Sequence, residues 1–249
     1  MSIYADQVSA LLARADEREF SPGQLQVADL LARAMLYPTE DVSRADAPGM
    51  SVVRSWPTRY TAGLKVIFRA ATKDMALDEL PEYVHNFAHE RFVNPCFVPF
   101  LDAIEVLLLR YAVIEHHNSG MYIAPVDQHD HEHGYALHTT RARAEGEYLP
   151  IVSAQIPWEP SSGQRWRGWA GGDLPRFLLG PLRFAPFTCC PPRACCRPNS
   201  SIVYQRVDRP FAACLTVLRD IAPGERIVVE WSDVFLLSSS SPLACSIEP

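Results

Sequence analysis

Two groups of metal-binding residue types stand out. Cysteines cluster at Cys189, Cys190, Cys195 and Cys196, and histidines alternate with acids in His129-Asp130-His131-Glu132-His133. Thiolates and imidazoles are the usual ligands of zinc, which takes four donors in a closed tetrahedral site. Adjacent cysteines are poorly placed to supply two corners of a tetrahedron, and they are hard to pair with each other in a disulfide. In an extended segment, alternation would put the three imidazoles on one side. No apolar shell surrounds the run, so it is read as a solvated loop. Aromatic residues gather further on at Trp166, Trp169, Phe177 and Phe187. They would suit the wall of a narrow channel for a cationic group or, equally, the packing of a core.

The most informative stretch runs from Ala212 to Trp231. It reads as a strand, a turn at Pro223-Gly224 and a returning strand, which by itself is a β-hairpin. Asp220 and Glu225 belong to this turn and are read as turn residues.

Stepping outward, Val8, Leu11, Leu12 and Ala15 recur at helical spacing. Ser21-Pro22-Gly23-Gln24 carries the signature of a helix start, with Ser21 as N-cap, Pro22 in the first turn and Gln24 closing a capping box. Leu25, Ala28, Leu31, Ala32 and Met35 line one face of that helix, which Tyr37-Pro38 ends. Residues 38–58 read as a loop, and helices follow at roughly 59–72, 78–92 and 96–116. After Asn118-Ser119-Gly120 the character changes. Short segments rich in β-branched and aromatic residues occupy 121–124, 134–140, 148–156, 201–207, 212–218 and 226–231, with turn formers between them. The expected fold is α+β: a helical N-terminal bundle over 1–118, a mostly antiparallel β domain over 119–236, and a low-complexity tail over 237–249.

The 249-residue chain carries a formal charge of −6, which disfavours a surface that holds nucleic acid through phosphate contacts and suits a basic partner. The longest apolar run, Val106 to Ile114, is interrupted by Arg110 and is too short to span a bilayer. The start of the chain has no basic-then-apolar pattern of a signal peptide, so a reducing, intracellular setting with free or metal-bound cysteines is expected.

Three elements in order, Leu179-Gly180-Pro181, Cys196-Arg197-Pro198-Asn199 and Leu218 to Glu225, are followed by Trp231-Ser232-Asp233-Val234-Phe235. Together they resemble the SET superfamily of protein-lysine methyltransferases, and within it the enzymes that modify the lysine at position twenty of histone H4. The resemblance is strong over 178–235 and faint elsewhere. It implies that the β domain is a SET domain, that the cofactor is S-adenosylmethionine, that the substrate is a histone tail or another basic protein, and that the protein is nuclear. By the same resemblance the cofactor would be held near Arg193, Ala194, Cys195 and Asn199. The catalytic tyrosine position falls at Trp231, with Tyr204 as a substitute hydroxyl, and Cys196 matches a zinc ligand. Three departures accompany the match. Arg193-Ala194 stands where the family has Asn-His, Trp231 replaces the tyrosine, and the tail offers only Cys245 for a zinc site that needs four ligands. Two readings therefore stay open beside a histone methyltransferase: an inactive SET-like protein that binds a peptide or chromatin partner, and an enzyme acting on a non-histone protein.

Overall fold

In the computed structural model the described residues are 3–15, 18–38, 47–126, 134–157, 168–171, 174–185, 197–204 and 213–230. The chain divides into two compact units, Met1–Met121 and Tyr122–Pro249.

The first unit is helical: α1 (Ile3–Ala15), α2 (Pro22–Leu36), α3 (Met50–Arg54), α4 (Thr58–Thr72), α5 (Leu80–Arg91) and α6 (Leu101–Glu115). The start of α2 is set by reciprocal capping. Ser21 Oγ accepts from the Gln24 amide at 3.2 Å, and Gln24 Oε1 accepts from the Ser21 amide at 3.0 Å. Helix α6 is buried from Ala103 to Glu115, and its charged Glu105, Arg110 and Glu115 are buried along with its apolar residues. Helices α2, α4 and α5 pack against it.

Burying charge in such a core requires compensation. Arg33 pairs with Asp29 one turn earlier at 2.8 Å, and the Tyr111 hydroxyl donates to the same Asp29 at 3.3 Å. At the end of α6, Glu115 accepts from the Tyr37 hydroxyl and pairs with Arg69 at 2.8 Å, while Lys65 lies 4.5 Å from the centre of the Tyr37 ring. Burial drives the Glu115 carboxyl up, and its cationic neighbours only partly offset this.

One expectation needs correction here. The 38–58 stretch is not loop throughout, because α3 forms within it and buries Met50 and Val53. Gly49 permits this. It adopts φ 81°, and a Cβ there would stand 2.3 Å from the Phe97 ring. The segment read as one helix over 96–116 begins with a separate 3-10 turn, Val98–Phe100, before α6.

The second unit is mostly β. Strands β1 (Met121–Pro125) and β2 (Tyr135–Thr139) pair as a two-stranded sheet. Strands β3 (Tyr148–Pro157), β4 (Gly168–Gly171), β5 (Leu174–Leu179), β6 (Ser200–Tyr204) and β7 (Ala213–Val217) form a sheet in the order β4-β5-β3-β7-β6, with every neighbour antiparallel. The long β3 serves two partners. Its start pairs with β7 (Leu149 opposite Leu215) and its end with β5 (Ile156 opposite Phe177), with a register shift between Leu149 and Ser153. The molecule is thus mixed helix and sheet, in keeping with the α+β class. Strands β4 and β5 were not anticipated from the sequence.

Candidate functional site

The Leu179-Gly180-Pro181 element is the point where β5 turns into a 3-10 turn, Pro181–Phe184. Gly180 has φ 81° and ψ −159°, a region open essentially only to glycine. All three residues are buried, and the turn packs against β2, β3 and β5. Its Phe184 ring meets Tyr135 of β2 edge-on, 6.4 Å between centres.

The returning strand of the expected hairpin takes other partners. Among the described residues, 226–230 forms no ladder with β7. Arg226 bridges instead to His138 of β2 in antiparallel fashion, and Val229 bridges to Ser200 in parallel. The whole segment 221–230 acts as a strap. Ile221 exchanges backbone hydrogen bonds with Arg143 at 3.0 Å each way, the Gly224 amide donates to Thr139 O at 2.8 Å, and the Ile227 amide donates to Leu137 O at 2.9 Å. Beyond this, the Asn199 and Ser200 amides both donate to Val228 O, at 3.0 and 3.1 Å, and the Glu230 amide donates to Ser200 O at 2.7 Å. Ser200 therefore stands between Val217 of β7 and Val229 of the strap.

Asn199 is the residue that makes this junction. It is buried, and its side-chain amide behaves as one more peptide group. Oδ1 accepts from the Val228 amide at 2.8 Å, while Nδ2 donates to Arg226 O at 2.7 Å and to Glu225 Oε1 at 3.2 Å. Its backbone carbonyl accepts from the Leu218 amide at 2.9 Å. Both amide hydrogens of the side chain are thus used inside the protein, so the residue is suited to hold the two segments in place.

Glu225 completes the clip. Its carboxylate accepts from the Ala222 amide at 2.9 Å and from Arg219 Nη2 at 2.8 Å. Burial alone would raise its pKa, but the hydrogen bonds from Ala222, Arg219 and Asn199 outweigh that and leave it below the usual carboxylate value. Asp220 accepts from the Glu145 amide at 3.0 Å, tying the other side of the turn.

Of the site residues expected from sequence, Asn199 is placed in contact with the strap that leads toward Trp231. Tyr204 ends β6, and in the β4–β5 register Trp169 lies opposite Arg176 and Phe177 opposite Gly168. Trp231, Arg193, Ala194, Cys195, Cys196, Cys189, Cys190, Cys245, Trp166, Phe187 and the 129–133 histidine run lie outside the described residues. Two groupings were not foreseen from the sequence, although Asn199 and Glu225 were each named there singly. One is the Arg219–Glu225–Asn199 clip, whose only local signal is an ion pair spanning the Pro223-Gly224 turn. The other, in the helical unit, is His85, His89 and Glu105, of which only the four-residue histidine spacing on a helix was visible.

No protein-family model matches the chain, and neither does any curated protein. Similar solved structures include a Plasmodium falciparum protein provisionally assigned as a histone methyltransferase, with 10% identity and a TM-score of 0.34 over 46% of this chain and 94% of the other. Another is the methyltransferase domain of human PR domain-containing protein 2, with 14% identity and a TM-score of 0.33 over 46% of this chain and 79% of the other. Likenesses at this level carry no argument about function, which rests on the chain's own residues. Among the described residues no helix is long and apolar enough to cross a membrane.

Proposed function

We propose that the second unit is a SET-like domain that transfers a methyl group from S-adenosylmethionine to a protein lysine, with a histone H4 tail as the substrate. The observation that carries this reading is the Asn199 clip. It joins Asn199, the last residue of one signature element, to Glu225, Arg226 and Val228 of another, with β6 and β7 between them in the chain.

When bound, S-adenosylmethionine would supply an activated methyl on a sulfonium for in-line transfer to a neutral amine. The chain must then align the amine and exclude water. Asn199 has no free amide hydrogen for the cofactor, so its part is positional: it fixes where the strap leaves the sheet. Direct contacts to the cofactor would fall to the 193–195 segment, and the amine would be oriented near Trp231 or by the Tyr204 hydroxyl. An indole N–H can donate but cannot accept, unlike a tyrosine hydroxyl. The loss is on the order of 2–4 kcal/mol of transition-state stabilisation. The acidic chain suits a basic tail, and a histone substrate would put the protein in the nucleus.

Trp231 favours one second reading, a SET-like protein that binds a peptide or chromatin partner without catalysis. Calorimetry with S-adenosylmethionine separates the two. Saturable binding is expected, and no heat at millimolar cofactor would overturn the enzyme reading. Trp231→Tyr should then raise methylation of nucleosomal H4 by about thirty- to nine-hundred-fold. Labelling confined to non-histone proteins would reject the histone assignment.

A further inference from the structure

The geometry points to a zinc-type divalent metal site on the helical unit, built by His85, His89 and Glu105. It is independent of the methyltransferase reading and involves none of the cysteines.

Helix α5 buries Val84, Phe87 and Ala88, so its other side carries His85 and His89. Four residues apart on a helix, they stand one above the other. Their rings lie 4.3 Å apart, centre to centre, and each side chain is about half exposed (54% and 46%). Glu105 reaches them from α6, with its side chain only 8% exposed. His85 Nδ1 and His89 Nε2 both aim at one atom, Glu105 Oε1, at 2.8 and 3.1 Å. The other carboxylate oxygen, Oε2, is held by Arg18 at 3.0 Å.

As hydrogen bonds, the two histidine contacts need each imidazole to carry its proton on the nitrogen that faces Oε1. Without those protons the same two nitrogens and Oε1 converge as three metal donors, while Arg18 holds the second carboxylate oxygen. The three donor atoms lie within 4.8 Å of one another. Zinc bonded at 2.0–2.2 Å to nitrogen and oxygen separates its ligand atoms by about 3.3 Å in a tetrahedron. The nitrogen–oxygen distances present are within about half an ångström of that, and half-exposed imidazole rings can make the adjustment by rotation. Arg18 fixes Glu105 as a one-oxygen ligand and keeps its orientation, as outer partners of metal-bound carboxylates do. Two imidazoles and one carboxylate leave a fourth position for water on the exposed side. The donor set suits zinc and neighbouring first-row ions over calcium or magnesium, which prefer oxygen.

The test uses the full chain, stripped with a chelator and titrated with Co2+ and then Zn2+. One equivalent of Co2+ should give the visible absorption of a low-symmetry nitrogen–oxygen site with no thiolate charge-transfer band, and Zn2+ should displace it. His85→Ala and His89→Ala lie on the exposed side of α5, so they should leave the helical circular dichroism intact while weakening that equivalent by more than about a hundred-fold. The triple variant His129→Ala, His131→Ala, His133→Ala should retain it, which separates this site from the histidine run in the second unit. Absence of saturable Co2+ binding at micromolar free metal would overturn the proposal. So would an equivalent that survives both His85→Ala and His89→Ala unchanged.

Discussion

Asn199 shows how much one side chain can hold. Its amide replaces a peptide group between two strands, satisfying the Val228 N–H, the Arg226 carbonyl and one oxygen of Glu225. Asn199→Ala would leave the Val228 N–H without its partner in a buried setting, at about 2–3 kcal/mol. Chemical denaturation should register that loss, together with a fall in cofactor binding larger than the loss of folded protein explains. Lys65 offers a second check at this scale. Burial and the nearby Arg69 press its pKa down, to about 8, against an opposing pull from Glu115. In the unfolded chain a lysine titrates near about 10.4. Between these values the unfolded state binds the extra proton, so the Lys65 contribution to stability rises as pH climbs through 8 to 10 and is a penalty below that. Lys65→Met should therefore stabilise the protein at pH 7 and remove that part of the rise, measured as the difference between the two denaturation curves across pH.

At the scale of elements, what the sequence revealed depended on how local the cause was. The start of α2 could be read from four consecutive residues because reciprocal capping is a contact within one turn. The apolar spacing of α1 and α6 was equally plain. By contrast, α3 escaped notice because its stability comes from burying Met50 and Val53 and from the fit of Gly49 under Phe97, a residue distant in the chain. Strands β4 and β5 carry glycine and proline, as in Gly168-Trp169-Ala170-Gly171 and Leu174-Pro175, and such residues read as breakers unless a neighbour supplies the pairing. The turn at Pro223-Gly224 was legible, but the partners of the segment after it were not, because both edges of β7, where a hairpin would have paired, are taken by β3 and β6. Of the candidate site, the order of the signature could be read, whereas the clip that joins its parts is a tertiary fact. Gly180 tests the element directly. Replacing it with alanine puts a side chain on a glycine-only conformation and should cost about 2 kcal/mol, read as a lower midpoint in urea.

For the molecule as a whole, the two units differ in where their contacts come from. The helical unit is assembled from segments that follow one another within Met1–Met121. The β unit depends on the 221–230 strap, which reaches back to β2, to Arg143 and to Asn199-Ser200. Deleting everything after Leu218 should strip amide-exchange protection from Thr139, Arg143, Asn199 and Ser200, whose amides donate to the strap, while leaving α2 and α6 protected. Hydrogen-exchange mass spectrometry on the two chains would show the contrast. The strap also sets a timetable for biosynthesis. A ribosome that has released only the first two hundred or so residues has already delivered every helix among the described residues but not the piece that closes the sheet junction. Until that piece emerges, the 137–139 edge and Ser200 have unpaired peptide groups that a chaperone would need to shelter.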